Sequence, residues 1–117
     1  MHIAFIGGGN MAEAIVGAVI RQKLAQPFEI TVSDIDENKL ANLARKYQVK
    51  TAEDNCAAVQ GRDIIVLAVK PQTLAVVMSG LHGRLKPDQL VISIIAGKSI
   101  NALSAGLGLM AGGGLTA

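Results

Sequence analysis

Tryptophan is absent from this 117-residue chain, and the other aromatics are one tyrosine and two phenylalanines set far apart. Without a cluster of aromatic faces there is no platform on which nucleobases would stack. Cysteine is nearly absent as well. Cys56 stands alone, which excludes an internal disulfide and a cysteine-built metal centre, and the scarcity suits a reducing cytoplasm. Charge is sparse: 17% of residues are charged, with a formal net charge of +2 and scattered lysines and arginines. That pattern excludes nucleic acid as the expected partner. No apolar run approaches the roughly 18 residues of a membrane span, and no basic segment precedes a small-residue cleavage site. Neither a membrane partner nor a targeting segment is expected.

What is present is apolar. Half the residues are hydrophobic, enough for one packed domain and too short a chain for two. "IAFI" (Ile3 to Ile6) is continuously apolar, the pattern of a strand buried on both faces of a parallel sheet. Met11, Ile15, Ala18 and Val19 recur at helical spacing, predicting a helix from Asn10 to about Leu24, with Pro27 closing the segment. "FEITVS" (Phe28 to Ser33) predicts the second strand, and the acidic start and basic end of "DIDENKLANLARKY" suit a helix dipole. "QVKT" predicts a short edge strand before a helical turn from Ala52 to Val59. "DIIVLAV" (Asp63 to Val69) reads as a buried strand, and Pro71 opens a helix through Leu81. "QLVISII" (Gln89 to Ile95) predicts the last strand, with a helix capped by Ser99 after it. Strands alternating with helices predict an α/β fold, a doubly wound parallel sheet of about five strands in the Rossmann-like order 3-2-1-4-5. The expected domain covers residues 1–108, and the glycine-rich tail at 109–117 is expected to be mobile.

The three consecutive glycines at the end of the first strand carry the chemistry. Gly7-x-Gly9-x-x-Ala12 fits the dinucleotide fingerprint with alanine in its third slot. In that motif the first glycine makes the tight turn, the second admits a pyrophosphate to the backbone, and the small third residue allows close packing. The helix N-terminus that follows offers N–H groups and a positive dipole end. Ser33 and Asp34 end the second strand, where the adenosine ribose is read. An aspartate there bonds the ribose 2′-hydroxyl and repels a 2′-phosphate, leaning the choice between NADP and NAD towards NAD. Asp34 is equally suited to cap the following helix.

Four segments together resemble pyrroline-5-carboxylate reductase: "IGGGNMAEAI", "DN" at Asp54-Asn55, "LAVKPQ" from Leu67 to Gln72 and "ISIIAG" from Ile92 to Gly97. The resemblance covers Met1 to about Gly108 and implies NAD(P)H-dependent reduction of pyrroline-5-carboxylate to proline, the last step of proline biosynthesis. It implies that Ile6, Gly7, Gly8, Gly9, Asn10 and Met11 hold the pyrophosphate, and Ser33 and Asp34 the ribose. Asn55 touches the cofactor, Ala68, Val69, Lys70 and Pro71 line the nicotinamide side, and Ala96 and Gly97 approach the ring. The residues themselves leave rival readings open. Asn55 serves equally well as a helix cap, Lys70 as a solvated lysine, Pro71 as a helix start and Gly97 as a turn. Cys56 reads as a small buried residue, His2 and His82 as structural or surface residues, and no residue suggests itself as the proton donor to an imine.

Members of the resembled family carry a second, helical domain that forms a homo-oligomer and most of the substrate pocket. No counterpart is visible in these residues, so the chain is expected to bind cofactor without turnover by itself. Two rival functions remain at this level: another imine or hydroxyacid dehydrogenase, and a non-catalytic dinucleotide-binding module that senses redox state.

Overall fold

Four apolar residues without polar alternation are satisfied only in the interior of a sheet covered on both faces. That is the position of β1 (Ile3–Ile6), every residue of which is buried. The computed structural model describes residues 1–94 and the backbone of residues 115–116. β1 is flanked by β2 (Ile30–Ser33) and β4 (Ile64–Leu67), with β3 (Lys50–Ala52) outside β2 and β5 (Leu90–Ser93) outside β4. All of these pairs are parallel. The expected order 3-2-1-4-5 is present, extended at the β5 edge by a two-residue strand, β6 (Leu115–Thr116). The helix expected after Ser99 and the remainder of the tail lie outside the described residues.

The period-2 alternation of β1 divides the core. Ala4 and Ile6 face a cluster with Val59, Ile65, Leu74 and Leu81, while Ile3 and Phe5 face another with Val16, Ile30, Leu40 and Leu43. The first cluster is covered by α3 (Asn55–Val59) and α4 (Leu74–Leu81), the second by α1 (Asn10–Arg21) and α2 (Glu37–Tyr47). Crossovers thus change faces between β3 and β4, which makes the β1–β4 boundary the topological switch point. The register sets Ile6 beside both Ser33 and Leu67, and Ser33 beside Ala52. Gly7, Asp34, Glu53 and Ala68 therefore emerge along one carboxyl edge.

Several boundaries differ from the periodicity. β2 begins at Ile30 rather than Phe28, because Pro27–Glu29 form a 3-10 turn closed by a reciprocal Gln26–Glu29 capping box, leaving Phe28 exposed. α3 starts at Asn55 rather than Ala52, because Ala52 ends the edge strand. Pro71 opens a 3-10 turn, Pro71–Thr73, before α4 proper. β4 and β5 are shorter at both ends than the apolar runs that predict them, since strand pairing stops where the chain turns into the neighbouring loops.

α1 and α2 are joined at their surface by Glu13, which accepts hydrogen bonds from Lys46 Nζ at 3.1 Å and the Tyr47 hydroxyl at 3.3 Å. The hydrogen bond to Glu13 holds the Lys46 ammonium above its usual range, although a pair this exposed contributes little to stability. α2 ends on Gln48 in the left-handed conformation, φ +61°, with its N–H bonded to the Ala44 carbonyl. That geometry favours glycine. Gln48→Gly should stabilise the fold by about 0.5–1 kcal/mol, read as a higher urea midpoint at an unchanged slope. Among the described residues no helix is long and apolar enough to cross a membrane.

Candidate dinucleotide site

The three glycines do three different things. Gly7 has φ +106°, and a β-carbon there would lie 2.7 Å from the Ala68 carbonyl oxygen and 2.8 Å from its carbon. Its N–H donates to the Ser33 carbonyl at 2.7 Å, and Ala68 N–H donates to the Ile6 carbonyl at 2.8 Å. β1, β2 and β4 therefore leave the sheet in contact, through a gap only hydrogen fits. Gly8 donates its N–H to Asp34 Oδ2 at 2.8 Å, and a β-carbon on it would meet Leu43 Cδ1 at 3.2 Å. Gly9 has an ordinary φ of −77° and caps α1, yet a β-carbon on it would meet nothing within 4 Å. Gly7 is thus required by the fold, whereas at Gly9 the vacant side is the one turned to open space. Ala12 is buried in the third slot of the motif.

Helices α2 and α3 have their first N–H groups capped by aspartates, whereas α1, like α4, starts without a side-chain cap. An uncapped helix start beside an unobstructed Gly9 is a shelf that fits a pyrophosphate. Asn10 and Met11 are exposed on it, Met11 at 62%.

At the end of β2, the cap role that Asp34 was suited to fill belongs to Asp36. Asp36 Oδ1 accepts from the N–H groups of Asn38 and Lys39. Asp34 instead accepts from Gly8 with one oxygen and from Asp36 N–H, at 2.9 Å, with the other. Its carboxylate therefore ties the glycine turn to the β2–α2 loop, a role that depends on Asp34 and Gly8 meeting across the sheet edge and has no local sequence signal. Ile35, next to it, is 94% exposed. The other rival cap reading also falls to a neighbour. Asp54, not Asn55, caps α3 by accepting from Cys56 N–H at 3.0 Å. Asn55 is the first helical residue, and its Oδ1 accepts a hydrogen bond from the Ser33 hydroxyl. Glu37 and Glu53 line opposite sides of a cleft of about 420 Å³ between α2 and β3, so carboxylates predominate along this part of the edge.

At the end of β4, Ala68 and Val69 are half-buried and pack on opposite core clusters. Lys70 is exposed, and its carbonyl accepts from the N–H and hydroxyl of Thr73, which fastens the Pro71–Thr73 turn. Ala96 and Gly97 lie outside the described residues. Cys56 is half-buried with its Sγ 3.2 Å from the Gly80 carbonyl. His2 lies at the opposite, amino end of β1, its N–H bonded to Asp63. No group of residues among those described is arranged to hold a metal ion.

A family model described as NADP oxidoreductase coenzyme F420-dependent matches residues 2–97. The chain is similar to the pyrroline-5-carboxylate reductase of Pseudomonas aeruginosa, 40% identical over 107 residues, which are 92% of this chain and 39% of that protein. It superposes on a pyrroline-5-carboxylate reductase structure from Coxiella burnetii with a TM-score of 0.85 and 36% identity, over 92% of this chain and 40% of that one. A Plasmodium falciparum pyrroline carboxylate reductase with NADP bound shares the fold, with a TM-score of 0.78 at 22% identity over 92% of this chain and 38% of that one. The chain spans about two fifths of the length of these relatives.

Proposed function

Because the chain belongs to the family described as NADP oxidoreductase coenzyme F420-dependent, we propose that residues 1–108 are the cofactor half of a reductase that converts pyrroline-5-carboxylate to proline. The observation that carries the cofactor reading is the asymmetry of the glycines: Gly7 is closed in by backbone, while Gly9 faces open space at an uncapped helix start. The substrate reading is supported by the similarity to pyrroline-5-carboxylate reductases across nine tenths of the chain.

In this reading the turn from Ile6 to Met11 receives the pyrophosphate. The N–H groups of Gly7 and Gly8 are held by Ser33 and Asp34, and those of Gly9, Asn10 and Met11, with the α1 dipole, are left for the ligand. Of the two residues at the end of β2, Asp34 receives the adenosine ribose, whereas Ser33 is buried and bonded to Asn55, which borders the ribose from α3. Ala68, Val69, Lys70 and Pro71 form the nicotinamide side with Ala96 and Gly97. The exposed Lys70 ammonium attracts an anionic cofactor or a substrate carboxylate to the carboxyl edge. When bound, the nicotinamide supplies the hydride that reduces the imine carbon; the protein supplies orientation and electrostatics. The carboxylates of Asp34, Asp36, Glu37 and Glu53 favour NADH over NADPH at the ribose, because each disfavours a 2′-phosphate.

Titrating the 117-residue polypeptide with NADH and, separately, NADPH tests this reading by fluorescence. Saturable binding with NADH the tighter is expected, and steady-state assay of the same polypeptide with pyrroline-5-carboxylate should show no turnover. A folded polypeptide that binds neither nucleotide would refute the cofactor reading. Binding with NADPH the tighter would refute the charge argument alone.

A further inference from the structure

Ser33 and Asn55 meet where the ends of β2 and α3 come together, and the way they meet has a direction. Ser33 is 1% exposed, so its hydroxyl is withdrawn from the shelf that a ligand would enter. Its carbonyl holds Gly7 N–H at 2.7 Å and its hydroxyl donates to Asn55 Oδ1. The strand register locks it between Ile6 and Ala52. Asn55 is relieved of capping because Asp54 does that work.

We propose that Ser33 is a positioning residue that acts on the cofactor through Asn55, turning the amide so that its carbonyl faces the protein and its NH₂ faces the site. Asn55 then meets the cofactor as a hydrogen-bond donor, matched to a phosphate or ribose oxygen. An unoriented amide presents either group, since its two ends are similar in shape and opposite in polarity. The Ser33 hydroxyl could also accept from the flipped amide, but its own buried O–H, which donates to Asn55 Oδ1 here, would then lose that acceptor. The proposal rests on the dinucleotide reading of the site and adds to it which polarity Asn55 shows and what enforces it.

A double-mutant cycle in the full 117-residue chain tests it, with NADH affinity by fluorescence titration and the apo thermal midpoint recorded separately. Ser33→Ala should weaken NADH binding roughly threefold to tenfold, the scale of one hydrogen bond. Asn55→Ala should weaken it at least as much. The double variant should bind no more weakly than Asn55→Ala alone, because Ser33 has nothing left to orient. Asn55→Asp keeps an acceptor for Ser33 but replaces the donor by a charged acceptor, and should bind more weakly than Asn55→Ala. Losses that simply add would show Ser33 touching the cofactor independently and overturn the proposal. So would a Ser33→Ala variant with a lowered midpoint and unchanged affinity, or an Asn55→Asp variant that binds as tightly as Asn55→Ala. If the parent chain, folded, binds no NADH, the dinucleotide reading itself fails and takes this inference with it.

Discussion

Gly7→Ala should destabilise the fold by about 2–6 kcal/mol, and Gly9→Ala should keep the fold and weaken cofactor binding, although the two substitutions add the same methyl group two residues apart. At Gly7 the new carbon would sit 2.7 Å from a backbone oxygen, on a residue whose φ is +106°. Backbone atoms of β4 cannot swing aside as a flexible side chain would. Strain in a left-handed conformation and overpacking each cost on the order of 1–3 kcal/mol. Together they remove much of the roughly 5–15 kcal/mol that holds a domain of this kind. At Gly9 φ is −77° and the space is empty, so the apo thermal midpoint should stay within a few degrees of the parent. The methyl would instead occupy the side from which a pyrophosphate approaches, and NADH affinity should fall at least about tenfold, by analogy with a lost charge-assisted hydrogen bond. Circular dichroism melting and fluorescence titration of both variants separate the two effects. Equal midpoints for both variants would show the Gly7 contact to be relaxed at little cost. Unchanged NADH affinity in Gly9→Ala would mean that the pyrophosphate does not lie on the shelf.

Asp34→Ser is expected to invert the nucleotide preference while weakening the fold. A like-charge pair at contact costs about 1 kcal/mol in water and about 4 kcal/mol at an effective dielectric constant near 20. Removing the carboxylate should therefore improve NADPH binding about tenfold or more relative to NADH. The same substitution takes the acceptors from Gly8 N–H and Asp36 N–H, so a loss of about 1–2 kcal/mol in stability should accompany it. Asp34→Asn retains an acceptor oxygen for one of those donors, so its stability should lie between parent and serine variant. The ratio of the NADH and NADPH dissociation constants, measured alongside urea unfolding, reads both consequences. An unchanged ratio in the serine variant would place the source of discrimination in Asp36, Glu37 or Glu53 instead.

How far these residues could be read before folding differs from one element to the next. "IAFI" announces its strand and its burial, because only a doubly covered strand tolerates four apolar residues in succession. The end of β2 is less legible. Asp34 and Asp36 are both acidic, both precede α2, and both are suitable caps. The difference between them is that Asp36 has an extended backbone immediately before the helix, while Asp34 is drawn to Gly8 from β1. Asp54 and Asn55 present the same ambiguity, and it is settled in the same way, by which residue stands at the boundary when β3 ends at Ala52. Phe28 looks like part of a strand because its residue type favours one, and the capping box around Pro27 outweighs that preference.

By itself the sequence determined the order of strands and helices up to β5, the buried β1 and the glycine turn at its end. Those features follow from local periodicity, from φ preferences and from what a run of apolar residues requires of its surroundings. Only the tertiary structure decided that Asp34 braces Gly8, that Asp36 and Asp54 cap, and that the Ser33 hydroxyl meets Asn55. Each of those pairings joins atoms that are neighbours only across a strand register or at a helix boundary. Asp34 and Ser33 take the partners that the sheet brings within 3 Å, and no local pattern encodes that distance.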